Sequence, residues 1–108
     1  KEISKDSQRS GYNKYLARAH DFYKEGDCSA AIILLHLGSV SFLFEKKLLS
    51  KGRDYTNREI FSLLRGGELL NSFRMIALGA EEIRFKGITA DKTAFMNLEQ
   101  IYRETFHE

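Results

Sequence analysis

Apolar side chains recur along this chain at helical spacing nearly from end to end, and one stretch departs from that alternation. Tyr12, Tyr15, Leu16, Ala19, Phe22 and Tyr23 fall at the i, i+3, i+4, i+7 spacing of a single helical stripe. They predict a first helix from about Gly11 to Glu25, with Ser10 positioned to cap its start. Gly26 is positioned to end it through a left-handed backbone. Asp27 follows at once as the cap of a second helix, so the first two helices are expected to pack as antiparallel neighbours.

The departure is Cys28 to Phe44, CSAAIILLHLGSVSFLF, which contains no charged residue. It predicts a helix that is apolar nearly all round, the pattern of one with neighbours on several sides. Ile32, Ile33, Leu34, Leu35, Leu37, Val40, Phe42, Leu43 and Phe44 are its large apolar members, and Ala30, Ala31, Gly38, Ser39 and Ser41 leave room for other helices to approach. Past Phe44 the pattern turns amphipathic, with Leu48 and Leu49 inward, so this helix is expected to reach about Ser50. A membrane span is the competing reading. A span needs about 20 apolar residues and interfacial aromatic belts. This run is shorter, lacks the belts and is diluted by Ser29, His36, Gly38, Ser39 and Ser41, so a buried core helix is the better reading.

A loop through Gly52 leads to Thr56-Asn57-Arg58-Glu59, a capping box that opens a short third helix ending at Leu64 or Arg65 and burying Ile60, Leu63 and Leu64. Gly66-Gly67 breaks it. A fourth helix is expected over about 68–85, with Leu69, Phe73, Ile76, Ala80 and Ile83 as a heptad-like seam and Gly79 marking a close contact. After Lys86-Gly87-Ile88, Thr89 is expected to cap a fifth helix from Ala90 to about Phe106, whose inner face carries Ala94, Phe95, Leu98, Ile101, Tyr102 and Thr105. No segment reads as a strand.

Composition agrees with this outline. At 108 residues the chain is one domain, with residues 1–10 as a flexible lead-in and 11–108 as a single helical unit. Proline is absent, which favours uninterrupted helices. Seventeen basic and 15 acidic side chains give a formal net charge of +2, too balanced to argue for nucleic acid. The lone Cys28 excludes an internal disulfide. The first residue is Lys rather than Met, so the chain is expected to be part of a longer protein.

Candidate chemistry is sparse. Phosphate loops, CxxC and HExxH patterns do not occur. Glu104-Thr105-Phe106-His107 has the Glu-x-x-His spacing of di-metal bundles, but such sites need a second copy of the motif and two further carboxylates. His36, mid-way along the apolar helix, has no acidic residue or second histidine within a turn, so its nitrogen is expected to reach a neighbouring helix or the surface. Cys28 lies in a helical first turn without a histidine pattern to accompany it and is expected to pack. Glu81 with Glu82, and Asp21 with Glu25, read as exposed helix faces. Catalytic residues, cofactors and metal ligands are therefore not expected.

One combination of motifs is more specific. Ala19-x-x-Phe22-Tyr23-x-x-Gly26-Asp27-x-x-x-Ala31-Ile32-x-x-Leu35, followed by Thr56-Asn57-Arg58-Glu59-Ile60 and by Phe85-Lys86-Gly87, resembles a bacterial helical domain found at the C-terminal end of membrane-anchored transglutaminase-like proteins. The match in order and spacing spans residues 12–106, with Cys28 departing from the aromatic usual in that family. The resemblance implies a soluble helical domain that follows a membrane helix at the cytoplasmic face of the inner membrane. It implies a non-enzymatic interaction module with a protein partner, without nucleic acid. The basic lead-in, with Lys1, Lys5 and Arg9, fits such a position. The first hairpin is also similar to HEPN domains, which include ribonucleases and nucleotide-binding proteins. Their Arg, four to six residues, His motif is not met by Arg103 and His107, which have three residues between them, nor by His20 or His36. The expected architecture is all-α: five helices, the one over about 28–50 central, with the first, fourth and fifth around it.

Overall fold

The structure, a computed structural model, describes residues 10–107; the lead-in expected over 1–10 lies outside these apart from Ser10. The described residues form five helices and no strand: α1 Gly11–Lys24, α2 Cys28–Glu45, α3 Asn57–Leu64, α4 Gly67–Lys86 and α5 Lys92–Thr105. The fold is all-α. α2 packs against α1, α4 and α5, while α3 packs on α4.

The turn between α1 and α2 forms as its residues dictate. Gly26 takes φ +90°, a conformation costly for other residues, and Asp27 Oδ1 accepts the Ala30 N–H at 3.0 Å. Ser10 occupies the cap position of α1 without a side-chain cap bond; the Gly11 N–H instead donates to Glu45 Oε2 at 2.9 Å, so the end of α2 closes the start of α1.

α2 stops at Glu45 rather than near Ser50. Lys47 adopts φ +62°, and the Leu48 N–H returns to the Leu43 carbonyl at 2.9 Å, the bond of a Schellman-type stop made without glycine. At 18 residues α2 is about 27 Å long. Leu49, past the stop, turns back into the core. By length and composition α2 could cross a membrane, with mean hydropathy 1.7, yet half of that stretch is buried inside the bundle. Ala31, Ile32, Leu35 and Leu43 are fully buried; Leu37 was expected inside but is 37% exposed, because α3 leaves that side of α2 partly open.

Two smaller expectations are also corrected. Leu63 faces outward at 50% exposure, whereas Ile60, Phe61 and Leu64 of the same helix pack into the core. The cap of α5 is Asp91, which accepts the Ala94 N–H at 2.8 Å, so the helix begins two residues later than a Thr89 cap implies. The capping box of α3 forms in both directions, with Glu59 N–H to Thr56 Oγ1 at 3.1 Å and Thr56 N–H to Glu59 Oε1 at 2.8 Å.

An aromatic chain closes one end of the bundle. Tyr12 meets Phe42 edge-on at 5.0 Å between centroids, Phe42 meets Phe106 at 5.2 Å, and Phe106 meets Tyr102 at 5.2 Å. The Tyr102 hydroxyl crosses α2 and donates to the Tyr12 carbonyl at 2.6 Å. It passes over Gly38, where a Cβ would collide with the Tyr102 hydroxyl and stand 2.8 Å from Tyr15 Cβ. Burial pushes the Tyr102 phenol far above its ordinary range, so it stays a donor at any working pH.

Candidate functional site

Two features stand out on this scaffold, one apolar and one polar. The apolar one is a groove of about 490 Å³ between α4 and α5. Its floor is Ile32 of α2 with Gly79, Ile83, Ala94 and Leu98. Gly79 makes that floor possible: a Cβ there would lie 3.1 Å from Leu98 Cδ1 and 3.8 Å from Ile32 Cγ2. The walls are Met75, Leu78 and Ile88, which remain 53%, 41% and 47% exposed. Ser29 Oγ accepts the Ala90 N–H at 2.9 Å and pins the α4–α5 connector to α2, fixing one end of the groove.

The polar feature is a relay of three side chains from three elements. His36 Nε2 lies 2.9 Å from Asn57 Oδ1, and Asn57 Nδ2 donates to Glu81 Oε2 at 2.8 Å. A carboxylate only accepts, so the asparagine must turn its amide N–H to Glu81 and its oxygen to His36. His36 therefore carries its proton on Nε2. Its Nδ1 is buried, has no hydrogen-bond partner, and can only be a bare lone pair. The ring packs on Phe73 at 5.9 Å between centroids. Burial holds the His36 pKa below its ordinary value; the Asn57 bond and Glu81 oppose this and Arg84 adds to it. His36, Tyr55 and Asn57 are shared by two clefts of about 500 and 310 Å³, one reaching Val40 and Phe44 and the other Arg84 and Phe85.

The remaining sequence candidates stay apart from one another. His107 Nε2 lies 3.0 Å from the Glu104 carbonyl at the chain end. Cys28 is buried in the first turn of α2. His20 Nδ1 meets Glu99 Oε2 at 3.0 Å, with Arg103 on the same oxygen at 3.1 Å. Among the described residues there is no cluster of three or more His, Cys, Asp or Glu able to hold a metal ion. Sequence reasoning sought a partner for His36 within one turn and missed Glu81, 45 positions away and reached through Asn57. It also missed the groove, although Met75 and Leu78 are apolar positions off the seam of α4.

Fold and groove together define an all-α bundle that presents an open apolar channel and a half-buried polar relay. Comparison with protein-family models, curated proteins and solved structures finds no match to this chain.

Proposed function

We propose that this chain is a non-enzymatic interaction module that takes an amphipathic helix of a partner protein into the α4–α5 groove. The observation that supports this is the groove itself: Met75, Leu78 and Ile88 stand roughly half exposed around an apolar floor. An open channel between two helices is the shape that receives the i, i+3/i+4, i+7 ridge of a third. Exposed apolar surface of this kind is disfavoured on a free monomer unless it is used. The resemblance to the helical domain of transglutaminase-like proteins supports a setting at the cytoplasmic face of a bacterial inner membrane, after a membrane helix.

The rival reading is a HEPN-like nucleotide-binding or ribonuclease domain, with His36 as its reactive group. It has less support, because Nε2 is taken up by Asn57 and Nδ1 is sealed from solvent, so neither nitrogen reaches a substrate.

Calorimetric titration with a leucine-ridged helical peptide separates the two readings. The expected result is binding with a negative heat-capacity change, lost in Met75→Glu/Leu78→Glu while the unfolding midpoint is kept. RNA cleavage that disappears in His36→Gln, with no peptide binding, would overturn the proposal.

A further inference from the structure

The geometry points to the partner's chemistry: the helix that enters the α4–α5 groove carries lysine or arginine residues at one end of its apolar ridge. This rests on the docking role proposed above and adds the partner's charge to it. α4 and α5 run antiparallel, since Ser72 near the start of α4 meets Thr105 at the end of α5 at 2.8 Å, and Gly79 lies against Leu98. The groove therefore has two unlike ends. Glu82, Ile88 and Asp91 mark the connector end, and Met75 and Asn97 the other. Met75 and Glu82 are two helical turns apart, about 10 Å, the span from the first to the last anchor of a docked ridge.

The charged side chains lining the groove are Glu82 and Asp91, both acidic, in a chain of formal net charge +2. Both are exposed, and Asp91 commits Oδ1 to the Ala94 N–H. A helix with an apolar ridge and a basic flank meets both parts of this lining at once, whereas an acidic flank meets like charge. A second copy of this chain paired groove to groove would bring the same acidic lining and no groove-lining cation to meet it.

The test is fluorescence anisotropy with two labelled helical peptides that share one leucine ridge, one flanked at its end by lysines and the other by glutamates. The lysine peptide is expected to bind about tenfold more tightly at low salt, a difference of about 1.4 kcal/mol. That ratio should shrink as ionic strength rises from about 0.05 M to about 0.5 M and the Debye length falls. It should approach unity in Glu82→Gln/Asp91→Asn, where asparagine keeps the α5 cap. Circular dichroism melting confirms that the variants fold. Equal affinity for the two peptides overturns the basic preference and leaves docking standing. Failure of both peptides to bind the folded domain overturns docking as well. A dimer in sedimentation that Met75→Glu dissociates assigns the groove to a second copy and overturns the proposed partner.

Discussion

Gly38→Ala is the most informative single substitution in the core, because two large effects of opposite sign meet there. Gly38 lies inside α2, where alanine is intrinsically favoured by about 1 kcal/mol. The added Cβ would collide with the Tyr102 hydroxyl and stand 2.8 Å from Tyr15 Cβ, and neither is the free end of a flexible side chain. Overpacking of this kind costs about 1–3 kcal/mol. Relieving it by moving Tyr102 breaks the 2.6 Å bond to the Tyr12 carbonyl and adds about 1–3 kcal/mol for buried groups left unpaired. The expected net effect is a loss of about 1–5 kcal/mol after the helical gain is subtracted. Gly79→Ala is the matched control. Its Cβ meets the tip of Leu98 at 3.1 Å, which can rotate away, and Ile32 Cγ2 at an ordinary 3.8 Å, so the helical gain of about 1 kcal/mol offsets the small crowding cost and the change should be close to neutral or slightly stabilising. Urea unfolding of both variants, with slopes compared to exclude altered unfolded states, measures the difference. Tyr102→Phe removes the colliding oxygen, so the pair Gly38→Ala/Tyr102→Phe should lose clearly less than the sum of the singles. Wild-type stability in Gly38→Ala, or strict additivity of the pair, would refute the crossing of Tyr102 over Gly38.

Three further outcomes follow from the same contacts. Leu35→Ala, at a fully buried site of α2, should cost about 2–5 kcal/mol in urea unfolding; a loss under about 1 kcal/mol would mean α2 is not central. Asn57→Leu should cost about 1–3 kcal/mol by stranding His36 Nε2–H and a Glu81 oxygen, and should couple to His36→Gln in a double-mutant cycle. His36 has a folded pKa below its unfolded value of 6.5, so the unfolded chain binds the extra proton in that window. Its contribution is therefore present above about pH 6.5 and lost as pH falls towards the folded pKa. The stability lost between about pH 7 and pH 5 should be smaller in His36→Gln than in wild type, read from unfolding midpoints across that range.

Local chemistry made much of the fold legible and long-range geometry hid the rest. Gly26-Asp27 and the Thr56–Glu59 box act within four residues, so their bonds could be read from the chain and they form as read. The uncharged run after Cys28 could only be stable with neighbours on several sides, and α1, α4 and α5 supply them. The stop of α2 was not legible, because Lys47 takes a left-handed conformation that lysine does not advertise. Thr89 and Asp91 are both good caps; the Ala90 N–H is given to Ser29 on α2, a long-range bond the chain order does not show, and Asp91 takes the cap. Glu81 looked like half of an exposed acidic pair; its partner is set by how α3 is laid on α4, which periodicity does not encode. The groove left a faint signal, since Met75 and Leu78 exceed what the seam of α4 needs.

The docking role is most directly tested through the methionines. The chain has two, Met75 in the groove wall and Met96 exposed on α5 outside the lining. Carbon-13 labelling of their methyl groups gives one reporter inside the groove and one beside it. Titration with the lysine-flanked, leucine-ridged peptide should move the Met75 resonance saturably and leave Met96 in place. A Met75 signal that stays fixed while the peptide binds, or equal shifts at both residues, would contradict docking in the α4–α5 groove.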